Sequence, residues 1–168
     1  MNKTFFSILM VASMLMTACA STRNVVKADV SPAEQLKQNL LKWQQKGYLF
    51  GHQDDPVYGT TWKWDYDRSD TKAVCGDYPA LMGFDLGKIE LGSDVNLDGV
   101  PFNRMREEII NQYNRGGVVT ISWHPYNPVT GSNAWDTGGD AVKAVLAGGA
   151  QYEKFQSWLS VVAKFLNS

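Results

Sequence analysis

Apolar and polar positions change period several times along this chain, and each change marks an element. Ser31-Pro32-Ala33-Glu34 reads as a helix start: Ser31 can cap, Pro32 suits the first helical position, and Glu34 can reach back to the cap. Leu36, Leu40, Leu41 and Trp43 follow as an apolar stripe, and Gly47 is placed to end the helix. Tyr48 to Gln53 is a short strand that turns polar at its C-terminal end. Residues 54–77 follow as an irregular loop with six aspartates and four large aromatics, and loops of that length in compact domains usually carry function. Ala80 to Gly87 is a second apolar strand with Asp85 near its end. After a loop from Lys88 to Pro101, the spacing predicts a helix from about Asn103 to Arg115, with Met105, Ile109, Ile110 and Tyr113 facing inward. Val118 to His124 is the third strand, again polar at its far end. A Gly/Asn/Pro-rich loop then leads to a helix over Gln151 to Leu166 that buries Tyr152, Phe155, Trp158, Leu159, Val162 and Phe165. Continuous apolar strands alternating with amphipathic helices predict a parallel α/β sheet with crossover helices. In such folds the carboxyl ends of the strands carry the site.

Ahead of this pattern lies a different one. Lys3 is the only charge in the first 22 residues, and Phe5 to Ala18 is apolar apart from Ser7, Ser13 and Thr17. A basic start with a run this short matches a secretory signal, since a membrane span needs about 20 apolar residues. The run closes on Met16-Thr17-Ala18-Cys19, which resembles a bacterial lipobox with Met where Leu is usual. Residues 1–18 are therefore expected to be a lipoprotein signal peptide and residues 19–30 a tether. Cys19 would carry the lipid, anchoring an exported protein to a membrane in the periplasm or at the cell surface. Residues 31–168 are the folded part. Cys75 is then the one remaining thiol and is expected to be buried or unreactive.

Charge and composition narrow the function. With 16 Lys and Arg against 17 Asp and Glu, the chain lacks the basic excess of a nucleic-acid binder, so no nucleic-acid partner is expected. At 168 residues it is one domain at most. Aromatics at 12% and 15 glycines suit either a packed core or flat apolar surfaces presented from loops, as in carbohydrate binders.

His52, Asp54 and Asp55 follow the first strand, Asp85 ends the second, and Trp123-His124 end the third, so a parallel arrangement would gather them on one rim. A metal site on His52, Asp54 and His124 is one reading. The spacing is His-x-Asp, where barrel hydrolases use His-x-His, and no other histidine exists, so no metal or cofactor is expected. Sugar recognition is the second reading: it needs hydrogen-bonding groups beside an aromatic plate, and Trp123, His124, Trp62, Trp64 and Trp135 supply both. Simple packing of each tryptophan is the third.

Five blocks bring a family into view. Gly51-His52-Gln53-Asp54, Gly76-Asp77-Tyr78-Pro79-Ala80, Gly83-Phe84-Asp85-Leu86-Gly87, Ser122-Trp123-His124-x-x-Asn127-Pro128 and Gly148-Gly149 resemble, in order and spacing, the N-terminal part of glycoside hydrolase family 26, the β-mannanase family. The resemblance runs from about Ala33 to the C-terminus. It implies the first three βα units of a (β/α)8 TIM barrel, incomplete in this chain, and a retaining endo-1,4-β-mannosidase acting on β-mannan or a related polysaccharide. Retention needs two carboxylates about 5–5.5 Å apart. The family's acid/base is the Glu of a Trp-His-Glu segment after the fourth strand, and its nucleophile is a later Glu. None of Glu34, Glu90, Glu107, Glu108 and Glu153 stands in that context, so the catalytic pair is expected to be absent and the chain inactive by itself. By match, His124 and Trp123 are substrate-binding residues, with Trp135, His52 and Asp85 as further candidates. A non-catalytic glycan-binding surface lipoprotein is the alternative.

Overall fold

The computed structural model describes residues 30–168. The apolar run Phe5–Ala18, the acylation candidate Cys19 and the tether up to Asp29 lie outside them. Helix α1, Pro32–Trp43, opens in one compact unit that ends at Leu41, and a second unit, Lys42–Ser168, holds everything else. The Ser31 hydroxyl accepts a hydrogen bond from the Glu34 amide at 3.3 Å, which is half of the capping arrangement read from the sequence.

In the second unit, three strands, β1 (Gly51–Gln53), β2 (Leu81–Asp85) and β3 (Val118–Ser122), form a parallel sheet in the order β1-β2-β3. Helix α2 (Asp70–Cys75) lies between β1 and β2, α3 (Phe102–Asn114) between β2 and β3, and α4 (Ala141–Val145) and α5 (Tyr152–Leu166) follow β3. The α/β architecture expected from the alternating pattern is the one found. Short helices at α2 and α4, in stretches read as loop, are the main additions. Ser69 caps α2 by accepting from the Lys72 amide at 2.8 Å, and Gly76 closes it with a left-handed φ of 84°. Cys75 sits at the exposed end of this helix, so the expected burial of its thiol is not what the fold provides.

Met82 and Phe84 of β2 are fully buried against Met105 of α3 and Phe165 of α5, with Val57, Leu86, Val100 and Phe102 around them. Phe102 and Phe165 meet edge to face with ring centres 5.9 Å apart. Since side chains alternate across a strand, Leu81, Gly83 and Asp85 point to the opposite face. The register carries this parity sideways: Gln53 pairs with Gly83, Gly83 with Thr120, and Asp85 with Ser122. A Cβ at Gly83 would lie 2.1 Å from Gln53 Oε1, so only glycine leaves room for that amide to lie across the sheet.

The inner face of α3 departs from the apolar stripe. Ile110 and Tyr113 are exposed, while Arg104, Glu108 and Gln112 are buried beside Met105. Each of these side chains has partners, although Arg104 Nε is left without one. Arg104 pairs with Glu108 at 2.7 Å, and Gln112 donates to the carbonyls of Pro79 and Ala80 at the start of β2. In α5, Trp158 and Phe165 are buried as expected, but Leu159 remains exposed. Strand β1 is shorter than its apolar run, and Tyr48 and Phe50 are exposed ahead of it.

Asp54 is the buried carboxylate left without a partner among the described residues, where the Nε atoms of Arg104 and Arg106 are unpartnered too. It follows β1 with a left-handed φ of 50°, its amide donates to Gly83 O at 3.0 Å, and its side chain is fully buried. Neither carboxylate oxygen has a hydrogen-bond partner. Burial pushes its pKa up to about 7, with Asp98 and then Asp85 adding repulsion that nearby Gln53 and His52 only partly offset. The unfolded carboxyl titrates near 3.9. Between about pH 4 and 7 the folded chain therefore keeps a proton that the unfolded chain has released, so stability falls as pH rises and the full cost is present above pH 7. A shift of this size corresponds to a cost on the order of 4 kcal/mol. Asp98, also raised chiefly by burial, adds to the same trend. Urea denaturation followed by circular dichroism should show a midpoint that drops from pH 5 to pH 8, and Asp54→Asn should remove at least half of that drop. An unchanged slope in the variant would disprove the assignment.

Candidate functional site

The C-terminal ends of β2 and β3 meet because the two strands are in register to their last residues, Asp85 beside Ser122. Asp85 is buried and its carboxylate is saturated. Oδ1 accepts from the Gly87 amide at 2.7 Å, and Oδ2 accepts from the Ser122 hydroxyl at 2.6 Å and lies 2.5 Å from His124 Nδ1. Burial alone would raise this carboxyl, but the hydrogen bonds from Ser122, Gly87 and His124 outweigh it and hold it below the usual range. His124 itself leaves half of its side chain in solvent. Trp135 stacks on the imidazole with ring centres 5.6 Å apart and planes 10° from parallel, and stays 68% exposed. The result is a polar, hydrogen-bonding edge beside an open aromatic plate.

Trp123 has a different task. Its indole N–H donates to Glu90 Oε2 at 2.9 Å, and its ring stacks on Phe155 of α5 at 5.9 Å. Glu90 Oε1 accepts from the Tyr126 amide at 2.8 Å. Buried Glu90 thus ties the loop after β2 to the segment that carries His124, with both oxygens occupied. Among the other glutamates of this unit, Glu107 and Glu108 pair with Arg104, and Glu153 is exposed at the start of α5. No two glutamates face one another across the rim among the described residues.

Two residues not singled out as site residues hold the plate in place. Asn127 is buried; its carbonyl accepts from the Val129 and Thr130 amides, and its amide donates to the carbonyls of Asp136 and Gly138. Asp136 accepts from the Thr130 hydroxyl and the Gly138 amide, and these bonds lower its pKa. Asn127 stood in one of the sequence blocks, yet a bracing role for a loop eleven residues long leaves no periodic trace. Lys154 of α5 donates to Pro128 O at 2.9 Å and fastens the same loop to the helix.

His52 does not join this group. It pairs with Met82 in the register, so it stands on the sheet face opposite Asp85, and its Nδ1 lies 2.8 Å from the carbonyl of Gln53. The expectation that the strand ends gather His52 with Asp85 and His124 is corrected by parity: Gln53, one residue on, is the β1 side chain on the Asp85 face. Among the described residues no three His, Cys, Asp or Glu side chains converge as a metal ion would require. A cavity of about 400 Å3 does exist, but it lies at the opposite, N-terminal end of the strands among Trp43, Tyr48, Tyr78 and Arg115.

The long loop after β1 is held by its aspartates. Asp55 accepts from the Ser69 hydroxyl and from the amide and hydroxyl of Thr71, and Asp70 accepts from the Trp62 indole at 2.7 Å and the Thr60 amide at 2.7 Å. Trp62 is accordingly buried as packing, while Trp64 is partly exposed.

Solved structures are similar to this chain in fold. A structure of a GH26 beta-mannanase from Bacteroides ovatus matches at 51% identity and a TM-score of 0.77, over 79% of this chain and 39% of that one. An endo-beta-1,4-mannanase from Cellulomonas fimi matches at 34% identity and 0.64, over 76% of this chain and 30% of the other. The catalytic domain of a GH26 endo-beta-1,4-mannanase from Bacillus sp. JAMB-750 matches at 30% and 0.66, over 75% and 34%. This chain spans less than two fifths of the length of each. The profile of glycosyl hydrolase family 26 matches residues 27–168, and with its parallel sheet and this identity to solved members, the chain belongs to that family.

Proposed function

We infer that this chain supplies the substrate-gripping rim of a β-mannan-degrading glycoside hydrolase. The observation that carries the reading is the pairing of His124, held by Asp85, with the exposed plate of Trp135 at the carboxyl ends of the strands. A pyranose ring has an apolar face that suits a stacked indole and equatorial hydroxyls that suit an imidazole edge. The mannanase relatives supply the choice of mannan among polysaccharides. Trp123, with one face on Phe155 and its N–H on Glu90, serves the sugar site through the placement of His124 as well as through any face it leaves open.

Cleavage with retention requires a carboxylate pair about 5–5.5 Å apart, and every glutamate near the rim is engaged in structure. We propose that these residues bind mannan and do not hydrolyse it by themselves. The same observation supports a second reading, a glycan-binding lipoprotein without catalytic function. In both, the N-terminal signal exports the chain and Cys19 carries a lipid.

Three measurements check this. Mannohexaose should quench tryptophan fluorescence more strongly than cellohexaose, and Trp135→Ala should weaken binding roughly tenfold, the ~1.5 kcal/mol of one aromatic contact; equal binding of both sugars, or no effect of the substitution, counts against the reading. Reducing-sugar release from glucomannan should not exceed that of a Glu90→Gln control, and a clear excess would show a recruited carboxylate. Metabolic labelling with a fatty-acid probe should mark the wild-type chain and leave Cys19→Ala unmarked, whereas equal labelling would remove the anchor from the proposal.

A further inference from the structure

The geometry around Asp85 points to a specific role: we propose that Asp85 is a positioning residue that fixes the tautomer of His124, so that Nε2 faces the sugar as a hydrogen-bond acceptor. This rests on the reading of His124 as a mannan contact and adds the atom through which the contact is made. An ionised carboxylate only accepts hydrogen bonds, so at 2.5 Å its Oδ2 requires the proton on His124 Nδ1. In the neutral ring the other nitrogen is then bare. Nε2 has no partner among the described residues, on a side chain that is half exposed, and every sugar hydroxyl has a proton to give it.

The surroundings leave Asp85 no freedom to act otherwise. The Gly87 amide holds Oδ1 at 2.7 Å and the Ser122 hydroxyl donates to Oδ2 at 2.6 Å, so the carboxylate is fixed in the sheet rather than in a loop. Gly87 is required for this approach, since a Cβ there would lie 2.9 Å from Asp85 Oδ1 and 3.1 Å from the His124 carbonyl. Trp135, stacked on the ring, blocks its rotation. Oδ1 must keep accepting from the Gly87 amide, so an asparagine at 85 would place its NH2 group where Oδ2 stood. That group would donate to Nδ1 and drive the His124 proton to Nε2. Replacing one oxygen by nitrogen therefore inverts the edge presented to the sugar from acceptor to donor.

The chain has two histidines, so nitrogen NMR of the 15N-histidine-labelled protein shows two imidazoles, and His52→Gln assigns them. At pH 8 the wild-type His124 should carry its proton on Nδ1, and Asp85→Asn should move it to Nε2 and weaken mannohexaose binding at least tenfold. A second pair of variants does not disturb Asp85. His124→Gln sets its amide near the position of Nε2 and should bind at least fivefold more tightly than His124→Asn, whose amide sits near Nδ1. Wild-type His124 protonated on Nε2 would overturn the proposal. So would an unchanged tautomer in Asp85→Asn, a changed tautomer with unchanged affinity, or Gln binding no better than Asn. If the wild type binds no mannohexaose, the mannan reading falls, and the tautomer in the wild type and in Asp85→Asn then decides the Asp85 assignment alone.

Discussion

A buried carboxylate at the seam of two parallel strands sets the terms for the rest of this protein. Asp85 sits where β2 and β3 end in register, and its position is affordable only because a backbone amide, a hydroxyl and an imidazole all donate to it. Those donors come from three places: the turn after β2, the last residue of β3, and the segment beyond it. Satisfying one charge therefore fixes the relative placement of the whole rim. Slipping the register of β3 by one residue would exchange Ser122 for Ile121 or Trp123 on that face and leave the charge without its hydroxyl.

The same economy recurs in the layer beneath. Gln112 links α3 to the backbone entering β2, Arg104 and Glu108 neutralise each other inside the helix face, and Glu90 joins the indole of Trp123 to the amide of Tyr126. These are internal polar links in a sheet of three short strands, where apolar contact alone would specify the geometry loosely. Asp54 is different in kind. It is buried without a partner and retains its proton through the acid range, a local instability beside the site.

Period and punctuation made the strands and helices α3 and α5 legible in the sequence. Strand residues Met82 and Phe84, and helix residues Met105, Trp158 and Phe165, fell on the buried side because apolar period and burial coincide there. Polar burial is where the pattern misleads. Ile110 and Tyr113 follow the apolar rule and are exposed, while Arg104, Glu108 and Gln112 break it and are buried, because each finds its partner across space rather than along the chain. His52 shows a second limit. Proximity to a strand end was visible, but the face depends on register with β2, a property of two segments that neither carries alone. Asn127 was missed as a brace because its partners are backbone groups, which carry no residue identity to read. Glu90 was missed because its partners, the Trp123 indole and the Tyr126 amide, lie more than thirty residues away.

Helix α5 touches the rim at two points that differ in chemistry. Phe155 lies flat against Trp123, and one residue earlier Lys154 reaches the carbonyl of Pro128, near the start of the loop that ends in Trp135. The loop that carries the aromatic plate is thus fastened at its start to an outer helix, while the imidazole stacked on the plate is held by the sheet through Asp85. How α5 sits on the core through Trp158 and Phe165 therefore bears on the offset between the two stacked rings, and a substitution beneath the helix can shift that offset without touching either ring.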